Sequence, residues 1–469
     1  SWQEGRITTT YHRFGIEGVR PLVIYRNFHG AWPYYLELCE EFRHFHNLAQ
    51  DHQRQLLLDF DDSGYEVEVA RITERQVKVN WEYLLQFLAA TQLHLVIYFA
   101  STRYSLIPLQ DISEDNRRLE YRDDKSRYFR HISECDFRRD YYTFSRLLGK
   151  VLIAPPPIEK CGKWPFEEKE MEPEVSFIIG IGPDGKPKEF TSNPDKLSDD
   201  FGANPGEPHY VTPVYFRKEV LQKYYAEPER YSVEDGYLRC LGLWDIQIDN
   251  DHPNYVIVFL GDLGRDLPYR ERLHWKQFNV PPPGDGSISV TCFHRSFLGQ
   301  FAEPESVEFV FREEYQRLNS AWREKMGWPL FLAPKPGDEH ILQTIHIPVT
   351  NSQPELDEQI LGLTKLLVDS LNEEELAKVL PEKYQDEKGI GKFKRFLESE
   401  GFAHKEEVIQ FLRDLQRLRS TGVAHRKGAD YQKTLERLGL TGERKADVMK
   451  ILLTKAVAVL QTLHKVLID

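Results

Sequence analysis

The spacing of apolar residues changes at Pro354. Beyond it, apolar side chains recur at i, i+3, i+4 and i+7 with almost no β-branched alternation, which is typical of amphipathic helices. Short connections between helices of this length favour an antiparallel up-and-down bundle. The pattern predicts helices over 356–371, 373–380, around 393–397, over 406–418 and over 444–467.

The first two thirds of the chain show a mixed pattern. Tyr65, Val67 and Val69 alternate with polar residues as in a half-buried strand, and 81–90 has helical spacing. Short apolar runs predict strands at 95–99, 177–181, 255–260 and 288–292, and a helix is predicted over 305–326. This part is therefore expected to mix helices and strands.

Three segments rich in proline and glycine, at 154–157, 182–213 and 333–337, interrupt regular structure. We expect the break from 333 to 354 to be an accessible linker. The predicted fold class is multidomain, with a mixed α+β N-terminal body followed by an all-α up-and-down helical bundle. The predicted domains are a mixed α/β domain over 1–155, a mixed α+β domain over 156–335 and the bundle over 355–469.

The chain has 469 residues and a net charge of −13, which argues against non-specific coating of nucleic acid. Residues 355–469 are neutral, so the negative charge lies in residues 1–354. The sequence contains no run of about 20 apolar residues and starts without an apolar leader. These features predict a cytoplasmic protein that does not enter a membrane.

The five cysteines are scattered without a CxxC pair, and we expect no metal and no cofactor.

Three short motifs have ordinary structural explanations. The sequence from Gly180 to Gly185 matches GxGxxG, but residues 186–191 resemble a second strand, which predicts a hairpin turn. Two histidines at 44 and 46 point about 200° apart on a helix and cannot bind one ion together. A carboxylate cluster is typical of a turn, although it leaves open a metal-dependent nuclease in the N-terminal region. The cluster consists of Asp59, Asp61 and Asp62.

Residues 117–150 are locally basic, with ten Lys/Arg against six Asp/Glu, and aromatic residues are interleaved. Arginines among aromatic rings can hold phosphates while bases stack. The favoured interpretation is a helical surface with an aromatic core face. The segment is also the first candidate for an RNA or ligand surface in the N-terminal half.

The segment 411–428 contains the most informative chemistry. Between Lys405 and Lys455 there are twelve Lys/Arg and seven Asp/Glu, a balance suited to a phosphate backbone. Arg419 and His425 would lie about 120° apart on a continuous helix. Gly422 loosens the helix between them, and a kink there would bring the two groups into one cleft. Histidine moves protons near neutral pH and arginine stabilises charge on phosphate oxygens, so the pair suffices for cleavage through the RNA 2′-hydroxyl.

This segment and its predicted helices resemble the HEPN family, whose motif is an arginine, four to six residues and a histidine near the end of a helix. The resemblance implies a metal-independent endoribonuclease, active as a toxin or antiviral defence effector, with Arg419 and His425 as the catalytic pair. Ser420 and Thr421 would assist; active members often have asparagine or another polar residue directly after the arginine, and this chain has Ser420. RNA-binding residues are expected at Arg417, Arg426 and Lys427.

The family also implies a homodimer joined through the C-terminal helices, in which two Arg/His motifs form one composite site. We expect the N-terminal region to bind a protein or nucleic-acid trigger and to regulate cleavage of RNA. The alternative is a non-enzymatic HEPN-like adaptor that binds RNA or a protein partner. In that case Arg419 bonds backbone carbonyls at a helix end and His425 is a surface residue.

Overall fold

A computed structural model of the chain describes residues 2–3, 6–7, 20–163, 165–166, 172–284, 286–380, 387–423 and 429–468. The chain divides into two compact units, of which the first comprises residues 1–61 and 65–171 and the second residues 62–64 and 172–469. Strands predominate in the first unit, and the second ends in a helical region, so the protein is multidomain α+β. Within these ranges no helix is long and apolar enough to cross a membrane.

The first unit consists of short antiparallel sheets and three helices. Its strands pair in the orders β1-β2, β3-β4, β5-β6-β7-β8 and β10-β11-β12-β9. The strands are β1 (Trp2–Gln3), β2 (Arg6–Ile7), β3 (Val23–Arg26), β4 (Tyr35–Leu38), β5 (Ala49–Asp51), β6 (Leu56–Phe60), β7 (Glu66–Ile72), β8 (Val77–Val79), β9 (Leu95–Ser105), β10 (Arg118–Arg122), β11 (Ser126–Glu134) and β12 (Thr143–Ile153). The helices are α1 (Glu40–Phe45), α2 (Trp81–Thr91) and α3 (Glu114–Arg117).

The predicted helix over 81–90 and the strand around Val67 are confirmed as α2 and β7. Helix α2 begins at Asn80, whose side-chain oxygen accepts a hydrogen bond from the backbone N–H of Glu82, as an N-cap residue does. Phe42 from α1 packs with Leu57 and Val69 in the small core of this unit. The core therefore lies between α1, β6 and β7.

The prediction of a helical surface over 117–150 is wrong, because the segment forms β10, β11 and β12, which pair with one another in chain order, and β12 pairs in turn with β9. The aromatic residues of this segment fit a strand as well as a helix. Cross-strand pairing decides between helix and strand here. Gly149 marks a close approach in this sheet. A Cβ atom there would lie 2.3 Å from the ring of Phe99, so the ring packs directly on the backbone of β12.

The second unit begins with mixed structure and ends in helices. Its strands are β13 (Ser176–Ile181), β14 (Pro187–Thr191), β15 (Pro213–Arg217), β16 (Tyr231–Glu234), β17 (Tyr237–Cys240), β18 (Trp244–Gln247), β19 (Tyr255–Phe259) and β20 (Asn279–Val280). The sheets have the orders β13-β14, β19-β15-β20 and β16-β17-β18. The helices are α4 (Gln222–Ala226), α5 (Leu260–Asp266), α6 (Tyr269–Lys276), α7 (Val290–Phe297), α8 (Val307–Met326), α9 (Ile341–Thr344), α10 (Gln353–Thr364), α11 (Glu373–Val379), α12 (Gly389–Ser399), α13 (Lys405–Leu418), α14 (Ala429–Leu438) and α15 (Lys445–Leu467).

The predicted hairpin after Gly180 is confirmed, since β13 and β14 pair antiparallel and Gly185 takes a φ of 76° in the turn. The predicted strand over 288–292 is wrong. The side chain of Ser289 accepts a hydrogen bond from the backbone N–H of Cys292 and begins helix α7. A short apolar run does not distinguish a strand from a buried helix, so the capping serine was the better signal.

The helical core extends upstream of the predicted boundary at 355. Helix α8 carries the apolar stripe Phe311, Leu318 and Trp322, all fully buried, and it packs along α15 in the same core as the C-terminal helices. The segment before residue 354 is not an open linker, because Ile345 and His346 are buried and the Ile345 carbonyl accepts a hydrogen bond from Arg312. The apolar stripe of α8 needs a surface to pack against, and the C-terminal helices provide that surface.

Candidate active site

Helix α13 carries the start of the Arg/His segment, and its predicted apolar face is confirmed. Val408, Phe411 and Leu415 are buried on one side of the helix, and Arg413 and Arg417 are exposed on the other. Acidic residues occupy the first turn, where the helix dipole favours negative charge. The helix is thus fixed by its apolar face and presents cations to solvent.

The helix changes geometry where the sequence predicted a disturbance. Arg419–Val423 continues α13 as a π-helical turn, so the site of Gly422 is a widened turn. A second π-helical turn, Lys365–Asp369, extends α10. Such turns are rare inside helices and often occur at functional sites. The two turns come together through one ion pair.

In that ion pair, a terminal nitrogen of Arg419 donates a hydrogen bond to Asp369 Oδ2 at 2.5 Å. Both side chains are a little over a third exposed, so the pair is worth only about 0–1 kcal/mol. Asp369 is the one partner of the guanidinium among the residues that the structure describes, and no backbone carbonyl in those ranges accepts from it. This geometry differs from that expected of an arginine that merely closes a helix end.

The hydroxyls next to Arg419 bond to the helix itself. Ser420 Oγ donates to the carbonyl of Arg417 at 3.1 Å, and Thr421 Oγ1 donates to the same carbonyl at 2.6 Å. Each hydroxyl keeps its oxygen as an acceptor, but neither bonds the guanidinium of Arg419. In the structure, Ser420 and Thr421 therefore bond to the helix backbone at the π-helical turn.

His425, Arg426 and Lys427 lie outside the described residues. The helices on either side of them are tied together. Arg437 of α14 binds Asp414 of α13 through two hydrogen bonds, and Gln410 donates to the same carboxylate at 2.9 Å. Asp414 is only 2% exposed, whereas the Arg437 side chain is 42% exposed, so a buried carboxylate pairs here with a cation at the surface. This ion pair, which we name the tether, joins α13 to α14.

Asp369 could not be found from local spacing, because it lies 50 residues from Arg419. A signal was nevertheless present in the sequence. Asp369 is the lone acid of an apolar helix end, in Lys365–Leu371, where the helix dipole disfavours a negative charge. A carboxylate at such a position indicates a nearby cation.

Asp59, Asp61 and His46 of the predicted acidic and histidine motifs have ordinary protein partners in the structure. Asp59 accepts a hydrogen bond from Tyr83 Oη at 3.0 Å, and Asp61 accepts one from the backbone N–H of Tyr65 at 2.9 Å. His46 is buried against the Tyr83 carbonyl, whereas His44 is exposed. No group of three or more histidine, cysteine or acidic residues in the described part of the chain has the arrangement of metal ligands.

Comparisons with known proteins add no relative. No protein-family model, no curated protein sequence and no solved structure matches the chain.

Proposed function

We propose that the chain is a metal-independent endoribonuclease of HEPN type, with Arg419 and His425 as the catalytic pair. The observation that supports it is the environment of Arg419. Its guanidinium lies part-exposed on a π-helical turn, six residues before His425, and is held by the side chain of Asp369. An arginine has five N–H donors, so one oriented by a single carboxylate still has donors for a phosphate.

In this proposal the RNA supplies its own nucleophile. The 2′-oxygen forms a bond to phosphorus, the bond from phosphorus to the 5′-oxygen breaks, and the leaving oxygen receives a proton. The products are a 2′,3′-cyclic phosphate and a free 5′-hydroxyl. His425 moves the protons, and Arg419 stabilises the negative charge that builds on the phosphate oxygens.

Asp369 acts in this scheme as a positioning residue. It holds Arg419 in place before RNA binds, and a phosphate must then share or displace the carboxylate. Asp369→Asn keeps the shape and removes the charge. We expect this variant to lower kcat/KM, because Arg419 is then no longer oriented before RNA binds.

One Arg/His pair is a sparse active site, and we propose that two chains combine their C-terminal helices in a homodimer. Sedimentation at micromolar concentration should give a mass of two chains. A monomer with full activity would contradict this part of the proposal. The cellular role as a toxin or antiviral defence effector predicts growth arrest on expression that His425→Ala relieves.

The decisive experiment measures cleavage and binding of a labelled RNA by the purified full-length chain. His425→Ala should lower the cleavage rate by roughly 10²–10⁴-fold and leave most RNA binding intact. Arg419→Ala should also abolish cleavage. Arg413→Ala is the matched control, because Arg413 is an exposed cation of the same helix with no described ion-pair partner.

Two further arms separate the mechanisms. A 2′-deoxy substitution at the scissile nucleotide should block the reaction, whereas EDTA should not. Loss of activity in EDTA would favour a metal-dependent nuclease in the N-terminal region. Cleavage by His425→Ala at the wild-type rate would refute the proposed catalytic pair. RNA binding with no cleavage by the wild-type chain would favour the alternative, a non-enzymatic adaptor that binds RNA.

A further inference from the structure

The four-stranded sheet of the first unit has one face rich in cations. Strand register decides which side chains share a face, because residues directly opposite one another in an antiparallel pair point the same way. Five cations of this sheet lie on one face, which we name the basic face. They are Arg118 and Arg122 of β10, Arg127 of β11, and Arg146 and Lys150 of β12.

The cations form two rows across the strands. In one row Arg122 is opposite Arg127, which is opposite Lys150 on the next strand. In the other row Arg118 and Arg146 flank His131. The rows lie four residues apart along the strands, a distance of about 13 Å. The basic face is therefore an extended patch several residues wide.

These charges are poorly compensated within the protein. The basic face has one carboxylate, that of Glu120, which pairs with Arg127 at 2.9 Å. Arg122 and Lys150 form no ion pair with any residue that the structure describes. Like charges directly opposite each other destabilise a sheet. A polyanion bound across the rows would relieve this repulsion.

The same face presents an aromatic ring. Tyr98 continues the row of Arg122, opposite Lys150, and is 76% exposed. No side chain on this face is fully buried, so the face is open to a large ligand. A phosphate-binding row with an accessible ring at its end suits a polymer that has both phosphates and unstacked bases.

We propose that the basic face binds single-stranded nucleic acid, with phosphates on the arginine and lysine rows and a base stacked on Tyr98. A duplex keeps its base faces stacked inside and cannot use the tyrosine. The face belongs to the first unit, so the proposal requires neither Arg419 nor His425 and goes beyond the cleavage chemistry proposed above.

The test uses the full-length chain carrying His425→Ala, which protects the RNA if the ribonuclease proposal holds. Fluorescence anisotropy measures binding of labelled 20-nucleotide oligo(U), oligo(dT) and a 20-base-pair duplex over a range of salt concentrations. With the sheet unchanged, the single-strand association constant should fall as the salt concentration rises. A plot of its logarithm against the logarithm of the salt concentration should have a slope of roughly −0.7 for each phosphate contact.

Arg122→Glu combined with Lys150→Glu should weaken single-strand binding by roughly tenfold or more and flatten the salt slope. The matched control is Arg75→Glu with Arg103→Glu, which makes the same charge change in the same unit. Arg75 and Arg103 are exposed, and Arg103 lies on the opposite face of the sheet. The control should bind like the parent chain.

Tyr98→Ala should weaken single-strand binding by about tenfold and leave duplex binding unchanged. Preference for oligo(U) over oligo(dT) would identify RNA as the ligand, preference for oligo(dT) would identify DNA, and equal binding would indicate recognition without the 2′-hydroxyl. Undiminished binding by the Arg122 and Lys150 double variant, or a duplex bound as tightly as a single strand, would overturn the proposal. Absence of any binding would also overturn it and would favour an acidic protein partner.

Discussion

The helical core of the second unit and the sheet β9 to β12 of the first bury apolar side chains to very different extents. In the helical core Phe311, Leu318 and Trp322 are fully buried among helices that pack on several sides. In the sheet Tyr98 and Tyr121 remain exposed, although the four strands pair along their whole length. The helical region thus buries a large apolar core, whereas the sheet displays exposed side chains such as Tyr98 that contribute little to stability.

This contrast indicates where to look for function in the two units. In the second unit, Arg419 differs from the other cations of α13 because it lies on a π-helical turn. In the first unit, cations line up in rows across neighbouring strands, and this arrangement indicates a binding surface. Substitutions in each unit test whether the contrast holds.

The largest effect is expected in the helical core. Trp322→Ala should lower the free energy of unfolding by about 3–5 kcal/mol, because it removes a large side chain from a fully packed site. Tyr98→Ala is the surface counterpart and should change it by less than about 0.5 kcal/mol. Urea unfolding followed by circular dichroism measures both. Equal losses would refute the distinction between the two regions.

A smaller effect concerns the core of the first unit and depends on pH. Burial lowers the pKa of His46 from its ordinary value to about 4. Between pH 6.5 and 4 the unfolded chain therefore binds a proton that the folded chain does not. The stability that neutral His46 contributes is complete above about pH 6.5 and is lost as the pH falls toward 4.

At pH 5 this loss should amount to about 2 kcal/mol. It is measured by urea unfolding at pH 7.5 and pH 5, and His46→Gln should reduce the difference between the two. His44→Gln is the matched control, because His44 lies in the last turn of α1, two residues before His46, with most of its side chain in solvent. A pH dependence that survives in His46→Gln would assign it to other groups.

The tether between α13 and α14 should have the next effect. Arg437→Ala leaves the buried carboxylate of Asp414 without its cation, and we expect a loss of about 1–2 kcal/mol. Removal of both partners should cost less than the sum of the single changes. Because α13 and α14 flank the segment with His425 along the chain, cleavage should fall more than stability predicts. Activity of Arg437→Ala equal to that of Arg413→Ala would contradict this.

The smallest effect distinguishes the basic face from ordinary ion pairs. Arg122→Gln relieves repulsion from Arg127 and should leave the free energy of unfolding unchanged or raise it by up to about 0.5 kcal/mol. Arg54 provides the contrast, because it binds Asp51 and Glu66. Arg54→Gln should lower stability. Thermal unfolding of both variants shows whether Arg122→Gln and Arg54→Gln change the stability in opposite directions.

Local patterns in the sequence predicted much of the helical region. Apolar spacing identified α10, α13 and α15, and the burial of Val408 and Leu415 confirms the predicted face of α13. The helix repeat is a property of neighbouring residues, so it can be recognised without the rest of the fold. The same holds for the hairpin after Gly180, where turn residues separate two strand-like runs.

Features that depend on distant residues appeared only in the folded chain. Pairing in the order β10-β11-β12-β9 made strands within 117–150, and a register set over many residues placed Arg122, Lys150 and Tyr98 in one row on one face. Likewise, Asp369 and Arg419 meet because two helices pack together, across 50 residues of chain. Local sequence specifies which residues carry charge and which segments form helices. Which charges meet depends on long-range packing, because the free energy of such contacts comes from partners that no local window contains.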